Sequence, residues 1–283
     1  MPTLHLQDLD FATQLARRAG ELLSASYERT MRVHRKSKRD VVTDVDYASE
    51  ALLIKAINER YPGDAILAEE SGRHEQANGE AGAGARRRAR WSRRTWVIDP
   101  LDGTVNYANG IPFFCVSIGL VEEGRPVVGV VLDPLRGDCY AAASGEAATL
   151  NGQAVEASDK DQLGDCVVSL AIIGRGGIAR ERRVAHEIRI GRRMGSAALA
   201  LAYVASGRFD AYVQNGGLSA WDIAAAGLIA ERAGAVVTDL YGGPWWNVRK
   251  RGPRLSIVAA PRQHHGTLLS LLRDARTTVQ TRR

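Results

Sequence analysis

The 283-residue sequence predicts a mixed α+β chain, and three observations carry that expectation. An N-terminal stretch places apolar residues at helical spacing, the middle of the chain strings β-type runs together through hairpin turns, and beyond residue 157 strands and helices begin to alternate. The composition, 45% hydrophobic and 25% charged, is that of a globular protein able to bury a core, and the length allows two modest domains or one large one. The polar stretch from Ala157 to Gln162 is the natural divider. It predicts an N-terminal α+β domain over 1–157 and a C-terminal α/β domain over 158–283.

Over residues 7–27, Leu9, Ala12, Leu15, Ala16, Ala19, Leu22 and Leu23 form an apolar helical face. A short extended piece from Lys36 to Val42 then leads into a second helix that ends near Tyr61-Pro62-Gly63. Thr43 and Asp44 both read as helix-start residues, whose side-chain oxygens accept orphan N–H groups, and Asp44 is assigned as a cap. Ala65-Ile66-Leu67-Ala68 reads as a strand running into Glu69-Glu70-Ser71-Gly72. Because side chains alternate along a strand, only one of the two glutamates faces a given site. Between Gly72 and Thr95 the composition predicts a mobile basic loop with a solvated charge run, and its six arginines, Arg86, Arg87, Arg88, Arg90, Arg93 and Arg94, equal the net charge of +6.

Residues 113–121 and 126–132 form a hairpin through Glu122-Glu123-Gly124-Arg125, and residues 140–143 and 148–150 continue the antiparallel pattern to the turn Asn151-Gly152. In the second half, a strand at 166–170 precedes an Arg-rich helix near 179–187. Gly195-Ser196-Ala197 opens a helix rich in Ala and Leu, where Ser196 serves as a cap or as a ligand contact. Residues 209–213 read as a strand, and Trp221-Asp222 leads into an apolar helix closed by Gly234.

The stretch that carries chemistry is Trp96-Val97-Ile98-Asp99-Pro100-Leu101-Asp102-Gly103-Thr104. An apolar run ends in Asp99, Pro100 cannot extend the ladder, and Gly103 frees the chain to turn. Two carboxylates flanking a tight turn repel unless one is protonated or a cation lies between them, and oxygen-only ligands select a hard divalent ion. The N–H groups of a chain turning into a helix at Gly103-Thr104 suit a phosphate. Cys115, Cys139 and Cys166 are odd in number and widely spaced, which predicts reduced thiols. The six histidines are scattered, and His264-His265 is expected at the surface. No leader segment and no apolar run near the roughly 20 residues of a membrane span is evident, which predicts a cytoplasmic protein.

The run Asp99-Pro100-Leu101-Asp102-Gly103-Thr104, with Asp46 in Val42-Thr43-x-x-Asp46, Glu69 in its Glu-Glu-Ser context and the distant Trp221-Asp222 pair, resembles the inositol monophosphatase family of Mg2+-dependent, lithium-sensitive phosphatases. The resemblance implies a layered αβαβα sandwich of the inositol monophosphatase/fructose-1,6-bisphosphatase type, with an antiparallel first sheet and a mixed second one. It implies two or three Mg2+ ions: Glu69, Asp99 and the Leu101 carbonyl hold the first, Asp99, Asp102 and Asp222 the second, and a third lies near Glu69. It also implies that Glu69 and Thr104 activate water, that Asp46 orients Thr104, and that Lys36 lies nearby. Substrate contacts fall on Leu101, Gly103, Thr104, Gly195, Ser196, Ala197 and Asp222.

In inositol-specific members a glutamate seven residues before the second-signature aspartate holds a ring hydroxyl. The matching position here is Asn215, or Gln214 after a one-residue shift. The expected reaction is hydrolysis of a small phosphomonoester, foremost inositol-1-phosphate, with histidinol phosphate and fructose 1,6-bisphosphate as alternatives. A homodimer is expected, with no membrane partner and no nucleic acid. The rival of another class is a basic module that binds nucleic acid through the arginine run and Trp91.

Overall fold

The computed structural model describes residues 5–29, 33–37, 40–74, 94–174, 176–246 and 255–273. Helix α1 (Leu6–Ser26) buries the stripe Ala12, Leu15, Ala16, Ala19 and Leu23. The short strands β1 (Val33–Ser37) and β2 (Asp40–Thr43) pair antiparallel before helix α2 (Asp44–Arg60). The cap of α2 is Thr43 rather than Asp44. Thr43 keeps an extended backbone and its hydroxyl accepts from the N–H groups of Val45 and Asp46, while Asp46 returns a bond to the Thr43 N–H. Asp44 is already helical, and its exposed carboxylate pairs instead with His34 at 3.1 Å.

Strands β3 (Ala65–Ala68), β4 (Gly72–His74), β5 (Thr95–Asp102), β6 (Cys115–Glu122), β7 (Arg125–Asp133), β8 (Asp138–Ala143), β9 (Thr149–Leu150) and β10 (Gln153–Ala154) build one sheet in the order β10-β9-β8-β7-β6-β5-β3-β4. Helix α3 (Thr104–Ala108) follows β5 directly. Both anticipated hairpin turns are present, with left-handed backbone at Glu123-Gly124 and at Asn151-Gly152. The sheet is antiparallel except where β3 lies parallel to β5, a departure from the all-antiparallel expectation. A second difference is that β5 does not stop at Asp99. It continues to Asp102 through a bulge at Pro100, whose missing N–H an irregular ladder accommodates.

After a short 3-10 turn, the second half contributes β11 (Val167–Ala171), α4 (Gly177–Glu187), β12 (Ile190–Arg192), α5 (Ala197–Val204), β13 (Ala211–Leu218), α6 (Ala220–Arg232), β14 (Val236–Thr238), β15 (Leu255–Ala260) and α7 (Arg262–Leu272). Its five strands form a mixed sheet, β12-β11-β13-β15-β14, parallel on the β11 side and antiparallel around β15. Helices α1 and α2 cover the outer face of the first sheet. Helices α5 and α6 fill the space between the two sheets, and α4 and α7 cover the outside of the second. These are the five layers of an αβαβα sandwich. We retain the division at 157/158 as a proposal; the largest sheet lies wholly before it and the mixed sheet wholly after.

Two further expectations change. His264 and His265 are buried at the start of α7, His264 Nε2 lying 2.6 Å from the Lys160 carbonyl and His265 Nε2 3.0 Å from Thr238 Oγ1. Each ring finds a polar partner, so burial is tolerated, and desolvation lowers the pKa of His265. Arg94 belongs to the fold rather than to a solvated basic loop. It meets Asp8 at 2.8 Å and Asp64 at 3.1 Å and stacks over Tyr61, whose hydroxyl is pushed up to about 12 by burial and by Asp8. The arginines Arg86, Arg87, Arg88, Arg90 and Arg93, with Trp91, fall outside the described residues.

The contact between α6 and the first sheet is made backbone to backbone. Gly119 and Gly129 face each other across β6 and β7, and a Cβ on Gly129 would lie 2.6 Å from the Ala225 carbonyl oxygen. Ala224 and Ala225 therefore sit where any larger side chain on the sheet would displace the helix. Gly129→Ala is expected to destabilise the protein by about 1–3 kcal/mol through overpacking. The check is a lower denaturant midpoint at unchanged m, with Gly63→Ala, which meets nothing within 4 Å, as the neutral control.

Candidate active site

Three separate devices bring the acidic residues together. The first is the parallel pairing of β3 with β5, in which Ala68 lies opposite Ile98. Glu69 and Asp99, the residues that follow this pair on the two strands' paths, therefore lie side by side, although only β3 ends there. The strand-alternation argument for Glu69 does not apply, because β3 ends at Ala68 and Glu69-Glu70-Ser71 is a three-residue hairpin loop closed by Gly72 at φ +78°. The second device is the bulge. Asp99 pairs with Ser117 and Asp102 with Cys115, so β5 advances three residues while β6 advances two. Without that extra residue, side chains three apart would point to opposite faces.

The third device is the start of α6, where Asp222 accepts the Ser219 N–H at 2.6 Å in a capping box. One carboxylate oxygen each from Asp99, Asp102 and Asp222 lies within 4.8 Å of the others. Burial, then the charges of Glu69, Asp102 and Asp222, raise the Asp99 carboxyl well above the usual carboxylate range. Burial and Asp102 do the same to Asp222. Burial raises Asp102 less decisively, opposed by hydrogen bonds from Ser196 and the first turn of α5. Buried carboxylates in contact fit a hard divalent cation, which their all-oxygen donor set suits. The Leu101 carbonyl lies 3.1 Å from Thr104 Oγ1, whose single proton goes to the nearer Asp46 Oδ1, so the carbonyl oxygen keeps its lone pairs for another partner.

Thr104 opens α3 just after Gly103, whose φ of +100° makes the turn possible. Its hydroxyl donates toward Asp46 Oδ1 at 2.9 Å, and the other oxygen of Asp46 is held by the backbone and hydroxyl of Thr43. The hydroxyl proton is thus turned inward, and the Thr104 lone pairs remain for an outside donor. Sequence reasoning missed two neighbours of Asp46 on α2. Ser49 Oγ donates to the Pro100 carbonyl at 3.0 Å, and Glu50 accepts the N–H groups of Glu70 and Ser71 at 2.8 and 2.9 Å. The signal was available: Asp46, Ser49 and Glu50 are polar residues at i, i+3 and i+4 on a helix whose other inward residues are apolar.

Asn106 was also missed. Its amide donates to the carbonyls of Phe113 and Met194, both at 2.7 Å, and so ties α3 to the chain entering α5. Gly195, at φ +82°, lies against it where a Cβ would come within 2.7 Å. Ser196 is buried as the cap of α5, with its hydroxyl on Asp102 at 2.7 Å. Cys115, a free and buried member of the apolar cluster around α5, also places its Sγ 3.9 Å from the same carboxylate.

Gly195, Ser196 and Ala197 line a cleft of about 360 Å³ together with Asp102, Asp222, Tyr212 and Gln214. Asn215 is not among its walls. On β13, Tyr212 and Gln214 share one face, and Asn215 points to the other, where its amide bonds both the N–H and the carbonyl of Ile173. A bulge between Gln214 and Leu218 adds residues to β13 before α6, and the residue on the cleft face is Gln214, the position reached by the one-residue shift. Lys36 lies in β1, and its side chain falls outside the described residues.

In the metal-free fold, Asp99 and Asp222 hold protons at pH values where an unfolded chain, near 3.8, has released them. Their stabilising contribution is complete below that value and is lost as pH rises through the raised native pKa values. Asp99→Asn removes the penalty. In EDTA at neutral pH the variant is therefore expected to be more stable than the parent by on the order of 1 kcal/mol or more, with the gap closing toward pH 4. Thermal melts across that range check it, and an equal or lower melting temperature at neutral pH counts against the cluster.

The family model for the inositol monophosphatase family matches residues 5–277. The Nus factor SuhB of Pasteurella multocida is 38% identical over 243 residues, which cover 83% of this chain and 86% of that protein. The crystal structure of the extragenic suppressor protein suhB from Bartonella henselae superposes with a TM-score of 0.83 at 30% identity, covering 95% of this chain and 99% of the other. The inositol monophosphatase from Anabaena does so with a TM-score of 0.76 at 33% identity, covering 95% and 96%. With the family model matched over nearly its whole length and the same five-layered sandwich as these neighbours, the chain belongs to the inositol monophosphatase family.

Proposed function

We propose that this chain is a phosphoric monoester hydrolase that requires Mg2+ and whose best substrate is inositol-1-phosphate. The observation that carries the reading is the convergence of Glu69, Asp99, Asp102 and Asp222 beside the inward-turned Thr104 hydroxyl. The adjoining cleft of about 360 Å³ has the size of a small-ligand site.

Glu69, Asp99 and the Leu101 carbonyl would hold one Mg2+, and Asp99, Asp102 and Asp222 a second, with a third, weaker ion near Glu69. Bound Mg2+ makes a water more acidic and stabilises charge on the departing oxygen. Glu69 takes the proton from the attacking water, and Thr104, its own proton committed to Asp46, accepts a hydrogen bond from that water and aims it at phosphorus. The N–H groups of Gly103 and Thr104 face the phosphate oxygens. Gly195, Ser196, Ala197 and Gln214 meet the polyol, with Gln214 taking the place expected of Asn215. Lithium inhibition, a homodimer and a cytoplasmic location complete the reading; among the described residues no helix is long and apolar enough to cross a membrane.

The name of the Pasteurella relative favours a second reading, a Nus factor role that needs no hydrolysis. The nucleic-acid module has less support, since Arg94 is committed to Asp8 and Asp64. A phosphate-release panel over inositol-1-phosphate, histidinol phosphate, glycerol phosphates and fructose 1,6-bisphosphate separates these ideas. The expected result is the highest kcat/KM for inositol-1-phosphate, loss of turnover in EDTA and inhibition by lithium. Asp99→Asn should lower kcat at least about a hundredfold, roughly 2.7 kcal/mol of barrier. A folded wild type that hydrolyses nothing on the panel would leave the Nus factor reading.

A further inference from the structure

The polar face of α2 touches the site at three places. Asp46 holds Thr104, Ser49 holds the Pro100 carbonyl and Glu50 holds the loop that carries Glu69. Glu50 is 3% exposed, and a carboxylate that deeply buried is costly unless its oxygens are satisfied. Here one oxygen accepts the Glu70 N–H at 2.8 Å and the other the Ser71 N–H at 2.9 Å. These are the two amides that follow Glu69 in a loop with no ladder partner for them. The opposite side of the loop is closed by Ser71 Oγ, 2.6 Å from His74 Nε2.

We propose that Glu50 is a positioning residue for Glu69, a carboxylate anchor that sets the 69–71 loop so that the Glu69 side chain meets Asp99. The inference rests on the metal reading above and extends it to a residue that touches neither metal nor substrate. Both oxygens of Glu50 must accept. A glutamine offers one acceptor and one donor, so its NH2 group would oppose one of the two amides and release that side of the loop. A leucine would leave both amides unsatisfied. At positions 70 and 71 the groups that Glu50 holds are the backbone N–H groups.

The test measures Mg2+ binding to the full chain by calorimetry, without substrate, for the wild type, Glu50→Gln, Glu69→Gln and the double variant, with circular dichroism melts to confirm folding. Glu50→Gln is expected to weaken Mg2+ binding about tenfold or more, the range seen for groups that orient metal ligands. In the Glu69→Gln background the same change should cost less than about twofold, because the group it orients is gone. Equal weakening in both backgrounds, or none in a Glu50→Gln protein whose Glu69→Gln counterpart is impaired, overturns the proposal alone. If Glu69→Gln binds Mg2+ like the wild type, the metal reading fails and takes the proposal with it. Should Glu50→Gln not fold, hydrogen exchange in the metal-free wild type decides. The amides of Glu70 and Ser71 are expected to be protected at least about a hundredfold, and free exchange there overturns the anchor.

Discussion

Mutual repulsion among carboxylates is the constraint on which the rest of the molecule depends. One carboxylate oxygen each from Asp99, Asp102 and Asp222 lies within 4.8 Å of the others in a site that burial partly screens from water, and Glu69 adds its charge to that acting on Asp99. Left to themselves such groups would separate or keep their protons. They are held because each is fixed by something that does not yield easily: a sheet register for Glu69 and Asp99, a bulge for Asp102 and a helix cap for Asp222.

Close approach of the layers follows from the same need. Asp222 rides on the first turn of α6, and α6 lies almost on the backbone of β6 and β7 because Gly119 and Gly129 present no side chains and Ala224 and Ala225 present small ones. On its other side Gly227 admits the ring of Trp245, which a Cβ would meet at 2.5 Å. The helix is thereby clamped between a sheet and an indole. The Ala- and Gly-rich composition of α6 is a packing requirement that also sets the reach of Asp222.

The opposite wall is organised by α2. Its apolar residues Val45, Leu53, Ala56 and Ile57 join the outer core, while Asp46, Ser49 and Glu50 spend their hydrogen bonds on Thr104, Pro100 and the loop after β3. One helix therefore contributes both to the core and to the outline of the site. A buried polar stripe of this kind is stable only because every member has a partner.

The sequence by itself determined the element types and the family. The helical stripe of α1, the turns at Glu123-Gly124 and Asn151-Gly152 and the six residues from Asp99 to Thr104 act through local chemistry, and local chemistry can be read along the chain. Asp46, Glu69 and Asp222 entered through the family resemblance, not through local chemistry. Register, bulges and burial were decided only in three dimensions, because they depend on which strands pair and how many residues each spends. Parallel pairing of β3 with β5 places Glu69, a bulge in β13 turns Gln214 rather than Asn215 toward the cleft, and partners distant in sequence bury His264 and His265 and hold the half-buried Arg94. Glu50 shows the limit most plainly. Its residue type and helical position are legible, but the two amides it serves lie 20 and 21 residues away, and only the folded chain brings them to it.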